Sequence, residues 1–254
     1  MPISVLIYAV IVGLIGYGAY TGAQGMGYNW QWYRIPQYFY RVTDEGFQWG
    51  EIPIGLVATI TLSVTAFLLA MLIGLVVALL RLSGLVVGSA VAVGFLELIR
   101  NIPLLVLLYL FYYVLGPVFG FDRYVASILT LAVFHSALIS EILRAGINAV
   151  PTGQWEAAKS IGMSTSQTYR YIILPQSIRF MLPPLTGEVV HLIKSSAIVS
   201  VIAVAELTTL GRNIISDTYM SFEIWFTIAL VYLAVTLILS IGVSFLEKKY
   251  AVDQ

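Results

Sequence analysis

Apolar residues form six long stretches along the 254-residue chain, and polar or charged positions separate each stretch from the next. A helix needs about 20 mainly apolar residues to cross the roughly 30 Å hydrocarbon core of a bilayer. The stretches come near or above that length, so they predict six membrane-spanning helices and an all-α polytopic membrane protein. The predicted spans are residues 3–23, 54–80, 102–119, 124–145, 182–205 and 224–246.

The first stretch has two interpretations, a retained helix and a cleaved signal peptide. A signal peptide begins with a basic region, whereas here no charged residue precedes Arg34. The stretch is also long for the apolar part of a signal peptide. We therefore favour a retained helix.

Composition supports a membrane protein and excludes several classes. The chain is 59% hydrophobic and only 10% charged, whereas soluble domains carry roughly 25% charged residues. A formal net charge of zero gives no indication of a nucleic-acid partner. The absence of cysteine excludes disulfides, thiolate metal sites and cysteine nucleophiles.

Lysine and arginine predict how the helices are oriented, because they concentrate in cytoplasmic loops. Cytoplasmic termini place eight of these residues inside and four outside. Residues 1–50 are then an N-terminal helix with an extracytoplasmic segment, and 51–254 are the main membrane domain. Gly25–Gly50 is rich in tryptophan and tyrosine, which suit the membrane–water interface or a docking surface for another protein. The residues predicted inside are Arg81, Arg100, Arg144, Lys159, Arg170, Arg179, Lys248 and Lys249.

The long cytoplasmic connection, about residues 147–180, has a pattern of two short helices. Thr152 is a candidate cap for the first helix and Gly162 interrupts it. A second helical stretch begins near Ser164 or Thr165, and Pro175 is expected to interrupt it. Composition alone would also allow an ordinary amphipathic loop on the lipid headgroups.

The order of residues in this connection is more specific than its composition. Glu-Ala-Ala is followed after three residues by Gly, after nine more by Ile, and after one more by Leu-Pro. This pattern resembles the signature loop of permease subunits of ATP-binding-cassette (ABC) importers. The resemblance implies the type I importer fold and a short helix that docks on a nucleotide-binding subunit. The residues that would couple to the ATPase are Gly153, Glu156, Ala157, Ala158, Gly162, Leu174 and Pro175.

Further segments are similar to the polar-amino-acid branch of that family. Residues 97–105 match E-x-x-R-G/N-x-P-L-L, and 140–147 match A-E-I-x-R-x-G-I except for Ser140. Residues 183–188 and 194–198 look most like glutamate/aspartate permeases, although Gly187, Ser195 and His191 depart from their usual residues. Glutamate or aspartate is the expected substrate. Glutamine, basic or broad-range polar amino acids remain alternatives.

The fifth span carries polar residues on one helix face, because Glu188, His191 and Lys194 or Ser195 are three or four positions apart. Ionisable groups inside a span usually face a cavity or each other. Lys194 therefore has two interpretations: it meets a substrate carboxylate, or it pairs with Glu188 or Glu141. Ser195 and Ser196 are candidates for hydrogen bonds to a ligand.

Other polar residues in the spans have structural interpretations. Glu97 and Arg100, like Glu141 and Arg144, are spaced i,i+3 and predict ion pairs at helix ends. His135 is expected to be a hydrogen-bonded residue of the bundle. Glycines of the first two spans are expected to permit close helix packing; they are Gly13, Gly16 and Gly74.

Two other functional classes receive less support. An intramembrane enzyme would need a nucleophile or metal motif, yet the two histidines are far apart in sequence and no metal site is predicted. A stand-alone channel or secondary transporter often has internal repeats, and none is visible.

The resemblance also implies partners for the chain. No G-x-x-x-x-G-K-[ST] occurs, so the chain is not itself the ATPase and binds no cofactor; ATP and Mg²⁺ would bind partner ATPase subunits. A second permease copy, identical or a sister chain, and an extracytoplasmic solute-binding protein would complete an importer in the bacterial inner membrane.

Overall fold

The computed structural model describes residues 2–44 and 46–250, and the side chains of 5–44 and 46–245. Residues 251–254 and the side chains of Lys248 and Lys249, which the sequence places in the cytoplasm, lie outside it. The α-helices are α1 (Pro2–Gly25), α2 (Glu51–Leu82), α3 (Val86–Asn101), α4 (Leu104–Tyr109), α5 (Gly116–Phe119), α6 (Arg123–Asn148), α7 (Thr152–Ser160), α8 (Thr165–Thr168), α9 (Leu174–Ser196), α10 (Leu207–Thr218) and α11 (Ser221–Tyr250).

Short segments of other geometry connect these helices. Two are 3-10 helices and two are π-helices, and one antiparallel hairpin pairs β1 with β2 in the register Tyr40↔Trp49. The 3-10 helices are Trp32–Tyr38 and Ala197–Ile202, the π-helices are Leu110–Leu115 and Tyr169–Ile173, and the strands are β1 (Tyr40–Thr43) and β2 (Gly46–Trp49).

Five helical stretches in the described residues are long and apolar enough to span a membrane. They are Val5–Gly25, Glu51–Leu82, Arg123–Asn148, Thr165–Ile202 and Ser221–Phe245. A sixth span is possible only if the pair α3 and α4–α5, bent by 105°, counts as one. The six-span prediction is confirmed in that sense, but it began the third span at residue 102 and missed α3.

Pro103 accounts for the bend between α3 and α4. Proline disfavours the helical conformation at the preceding residue, and Ile102 has an extended backbone with φ −98° and ψ 127°. The helix therefore restarts at Leu104, where Pro103 is the cap residue rather than part of the first turn.

Helices α2, α6 and α9 form the centre of the bundle, where small residues allow close approach. A Cβ on Gly74 would lie 2.8 Å from Cγ2 of Ile139, and one on Gly146 would lie 2.3 Å from Cγ of Met181. Without a hydrophobic driving force in lipid, such close packing is a main source of helix association. The predicted packing role is confirmed for Gly74. For Gly13 and Gly16 it is not seen, because nothing in the described chain lies within 4 Å of a Cβ built there.

The segment between α1 and α2 is attached to the start of α11. Glu223 accepts hydrogen bonds from the Tyr28 hydroxyl and the Gln31 backbone N–H, each at 2.6 Å. Partial burial and the neighbouring Glu223 carboxylate raise the pKa of Tyr28 above its ordinary value. The hairpin of β1 and β2 follows, and its aromatic side chains are exposed. The aromatic segment therefore lies at the same end of the bundle as the α10–α11 turn.

The fifth span ends earlier than residue 205, because the chain turns sharply after the 3-10 helix. Ala203 adopts a left-handed conformation with φ 56°. Glu206, which is 1% exposed, then caps α10 by accepting from the backbone N–H groups of Thr208 and Thr209. A buried carboxylate at a helix N-terminus is stabilised both by these hydrogen bonds and by the helix dipole.

Candidate translocation path and coupling loop

One face of α9 is exposed in the single chain. Its members are spaced alternately by four and three residues, which places them in a line along the helix. We call this line the α9 stripe; it consists of Phe180, Pro184, Gly187, His191 and Lys194. The opposite face packs against α2, α6 and α11. A largely apolar helix whose free face becomes polar halfway along is suited to line a path for a polar solute.

Glu188 lies immediately behind the stripe and contacts both histidines. It is 8% exposed, and its Oε1 lies 2.5 Å from Nδ1 of His135 on α6. The same oxygen is 3.8 Å from Nδ1 of His191. The prediction that His135 is hydrogen-bonded within the bundle is confirmed. The sequence interpretation that the two histidines form no cluster is wrong, because α6 and α9 bring them to one carboxylate.

Lys194 is exposed on the stripe and forms no ion pair with Glu188 or Glu141. The pairing interpretation is therefore wrong within this chain, since each carboxylate has other partners. Ser196 is buried and donates its hydroxyl to the Ile193 carbonyl at 2.8 Å. It is therefore a poor candidate for contact with a ligand, whereas Ser195 is half-buried beside Lys194.

An ion-pair cluster lies at the end of the bundle where α6 leads into residues 147–180. Glu141 contacts Arg81 of α2 and accepts a hydrogen bond from Arg144 at 2.9 Å. The predicted Glu141–Arg144 pair is confirmed, and Arg81 is an additional partner that connects α2 to α6. The predicted Glu97–Arg100 pair is wrong: Asn101 donates to both the carbonyl and the carboxylate of Glu97 instead.

We call residues 147–180 the coupling loop. Its first helix is α7, and the side of α7 that faces away from the bundle is exposed. Gly153, Glu156 and Ala157 are exposed, whereas Ala158 is 3% exposed and faces the bundle. The expected cap by Thr152 is wrong, because Pro151 holds the cap position and no side chain caps the helix. Proline suits a helix start, where its missing N–H leaves no bond unmade.

Gly162 ends α7 in a left-handed conformation, with φ 75°. The Met163 N–H donates to the Ala158 carbonyl, and the Gly162 N–H donates to the Lys159 carbonyl. Glycine is the residue that adopts this φ at least cost. The expected interruption at Gly162 is confirmed.

A second helix starts at the predicted position. Ser164 and Gln167 form a reciprocal capping box before α8. Pro175 does not end this helix as expected. The π-helix Tyr169–Ile173 widens the turn that precedes the proline, and the backbone stays helical into α9. The second element is therefore the first part of one continuous helix, Thr165–Ile202, and not a short helix.

An aromatic contact joins the two parts of the loop. The Trp155 ring of α7 meets the Tyr169 ring edge-on, with centroids 5.2 Å apart. Leu174 and Pro175 are exposed nearby. The exposed motif residues thus lie on the open side of α7 or on the first turn of α9, whereas Ala158 faces the bundle, and α7 packs against the helix that carries the stripe.

In the described residues, α9 carries an exposed stripe that becomes polar halfway along, and α7 contacts the first turns of the helix that leads into α9. The chain belongs to the family described as binding-protein-dependent transport system inner membrane component, which matches residues 70–252. It is an ABC importer permease of the amino-acid type with the type I transmembrane fold.

Individual relatives agree with this assignment. The glutamine transport system permease of Escherichia coli is 35% identical, over 79% of this chain and 94% of the relative. The glutamate/aspartate import permease of E. coli is 28% identical, over 88% of this chain and 96% of the relative. A crystal structure of an amino acid ABC transporter with histidines superposes with a TM-score of 0.74 at 40% identity, over 78% of this chain and 94% of that one.

Proposed function

We propose that two permease chains pack with their α9 stripes toward a shared path, along which a polar amino acid crosses the membrane. The observation that carries this proposal is the stripe itself: between Met181 and Ser196 the exposed residues of α9 are all members of the stripe, which is polar at His191 and Lys194. Placed against lipid, the Lys194 ammonium would be costly. Placed against a second copy, the same groups face water and substrate.

The coupling loop supplies the mechanical connection in this proposal. Docking of a nucleotide-binding subunit on Gly153, Glu156 and Ala157 moves α7. The Trp155–Tyr169 contact transmits that movement to the helix Thr165–Ile202, whose far part carries the stripe. ATP and Mg²⁺ act on the partner subunits.

The same arrangement supports a proposed sidedness of the chain. The coupling loop and the Glu141 cluster lie at one end of the bundle, and the aromatic segment and Glu206 lie at the other. A cytoplasmic loop makes the aromatic segment extracytoplasmic, where the solute-binding protein delivers substrate. Residues 1–50 then form an N-terminal unit attached through Glu223, and 51–254 form the membrane domain with its coupling loop at 147–180.

Glutamine is the substrate that we propose first. The glutamine permease of E. coli is more similar to this chain than the glutamate/aspartate permease is. The carboxylate behind the stripe, Glu188, is already bonded to His135, so the pair adds no strong cationic centre for an acidic side chain. Glutamate or aspartate is the second candidate, because Lys194 is free of Glu188 and Glu141 and can meet a side-chain carboxylate.

The test is amino-acid-stimulated ATPase activity and uptake in proteoliposomes that contain the complex co-purified with this chain. We expect stimulation by glutamine to exceed that by glutamate, aspartate, arginine or histidine. Lys194→Gln distinguishes the candidates: loss of glutamate transport with glutamine transport retained assigns Lys194 to a side-chain carboxylate. Absence of any co-purified ATPase, or uptake independent of ATP, would contradict the importer proposal itself.

A further inference from the structure

We propose that His135, Glu188 and His191 form a binding site for a transition-metal dication, with Zn²⁺ as the reference ion. The site lies at the α6–α9 contact, beside the α9 stripe. Binding there would hold the two helices together and inhibit transport. This goes beyond amino-acid import and does not depend on which amino acid is carried.

The donor set is the first argument. The chain has two histidines and no cysteine, and both histidines lie next to the same carboxylate. One candidate ligand atom from each of the three residues lies within 4.8 Å of the others. Two imidazoles and one carboxylate suit Zn²⁺, Cu²⁺ or Ni²⁺, whereas Mg²⁺ and Ca²⁺ prefer sites made of oxygen ligands.

The distances are the second argument. Ligand atoms on a tetrahedral zinc ion lie about 3.4 Å apart, given bonds of about 2.1 Å. Glu188 Oε1 is 2.5 Å from Nδ1 of His135 and 3.8 Å from Nδ1 of His191. These two values lie on either side of the required spacing, so the shifts needed to reach tetrahedral geometry are on the order of 1 Å.

The third argument is an unpaired buried nitrogen. His135 is fully buried, and its Nε2 has no hydrogen-bond partner among the described residues. Leaving a buried polar atom unpaired costs about 1–3 kcal/mol. No partner in the described residues holds Nε2 in the unprotonated form, so the ring can carry its proton on Nε2 and present the Nδ1 lone pair, which faces Glu188, to an ion.

Access to the site comes from the stripe. The His191 side chain is 54% exposed, whereas Glu188 and His135 are buried behind it. An ion reaches the site from the α9 face, and three protein ligands leave one tetrahedral position open for water. Because α6 supplies one ligand and α9 supplies two, the bound ion links the helix that carries the stripe to its neighbour.

The experiment uses the full chain in its complex, purified with an affinity tag that contains no histidine and stripped with a chelator. Zn²⁺ is titrated with metal analysis of the dialysed protein, and Co²⁺ is used as a visible-absorbing substitute. We expect about one Zn²⁺ per chain and a Co²⁺ spectrum of a low-coordinate imidazole site. Mg²⁺ at the same concentration should not compete.

His191→Asn is the decisive variant, because His191 is exposed and asparagine is compatible with a helix surface. It should weaken Zn²⁺ binding at least ~10-fold, since even outer-shell changes at metal sites cost that much. Glu97→Gln is the matched control: it removes an exposed carboxylate that is outside the cluster and should leave Zn²⁺ binding unchanged.

Inhibition provides the second readout. Zn²⁺ should reduce amino-acid-stimulated ATPase activity of the unmodified complex. In His191→Asn the fractional inhibition, taken against the metal-free activity of the variant itself, should be smaller. Equal Zn²⁺ binding by the His191→Asn variant, or equal competition by Mg²⁺, would overturn the site. Transport measured in the presence of a chelator tests the importer function separately. A negative result for Zn²⁺ binding therefore does not affect the conclusion about amino-acid import.

Discussion

The Trp155 indole meets the Tyr169 ring edge-on, at a centroid distance of 5.2 Å and an interplanar angle of 83°. This contact joins the short helix α7 to the first turns of the helix that continues into the α9 stripe. An edge-to-face aromatic pair contributes about 0.5–1.5 kcal/mol beyond its buried area. The contact therefore favours the observed packing of α7 on this helix.

Trp155→Ala should therefore uncouple ATP hydrolysis from transport. We expect a several-fold lower ratio of amino acid transported to ATP hydrolysed, with the chain still assembled in the membrane. The ratio is measured in proteoliposomes. Tyr171→Ala is the control, because Tyr171 lies in the same π-helix as Tyr169 but is 60% exposed. An equal effect of both variants would show that the Trp155–Tyr169 contact has no specific role in coupling.

Gly162 is a second test of coupling. A residue with a Cβ at φ 75° costs roughly 1–2 kcal/mol, and a bulky side chain there also alters the junction of α7 and α8. Gly162→Val should lower transport strongly while the protein remains folded. Gly84→Val carries the same backbone strain at φ 70° in the α2–α3 turn. Gly84→Val should therefore retain transport. Normal transport by Gly162→Val would contradict the role of Gly162 in coupling.

Close packing of α2 on α6 makes Gly74 sensitive to size. A leucine there would overlap Ile139, since even a Cβ lies 2.8 Å from its Cγ2. Overpacking of this kind costs about 1–3 kcal/mol, so Gly74→Leu should lower the melting temperature of the detergent-purified protein. Gly94→Leu is matched in chemistry, and nothing lies within 4 Å of a Cβ at Gly94. Its melting temperature should be unchanged.

Attachment of the aromatic segment depends on Tyr28 and Glu223. Tyr28→Phe removes a hydrogen bond to a carboxylate from a half-exposed site, a loss of about 1 kcal/mol. Trypsin should then cut after Arg34 or Arg41 several-fold faster, as followed by mass spectrometry of intact vesicles. Tyr33→Phe is the control, because Tyr33 is 78% exposed. Equal cleavage rates in the two variants would mean that the hydrogen bond does not hold the segment.

The same contact predicts a pH dependence. The folded-state pKa of Tyr28 is raised, so its stabilising effect is complete below the unfolded value of about 10 and is lost as the pH rises through the raised pKa. Protection of the segment should therefore decline in strongly alkaline solution. Hydrogen exchange of residues 26–50 measures this, and Tyr28→Phe should show no comparable alkaline transition.

Much of the fold was predictable because lipid imposes length and polarity on every span. The positions of α2, α6 and α11 followed from their apolar runs. The helix α3 was missed, since its Glu97 and Arg100 resemble a boundary in sequence. The π-helix before Pro175 was also missed, because proline predicts an interruption unless the preceding turn widens.

The candidate site was predicted less completely than the fold. Helical spacing placed Glu188, His191 and Lys194 on one helix, and the i,i+3 rule found Glu141 with Arg144. His135 was recognised only as a buried polar residue, because its 53-residue separation from Glu188 depends on how α6 packs on α9. One signal was present in the sequence: both histidines of the chain lie in spans, where a polar group needs a partner.

The unbroken helix Thr165–Ile202 has 38 residues, which at about 1.5 Å per residue is roughly 57 Å. The hydrocarbon core is only about 30 Å thick. A rod of this length that tilts about a point inside the bilayer moves its two ends in opposite directions. In the proposed importer, such a tilt would close the path toward one compartment as it opens the path toward the other.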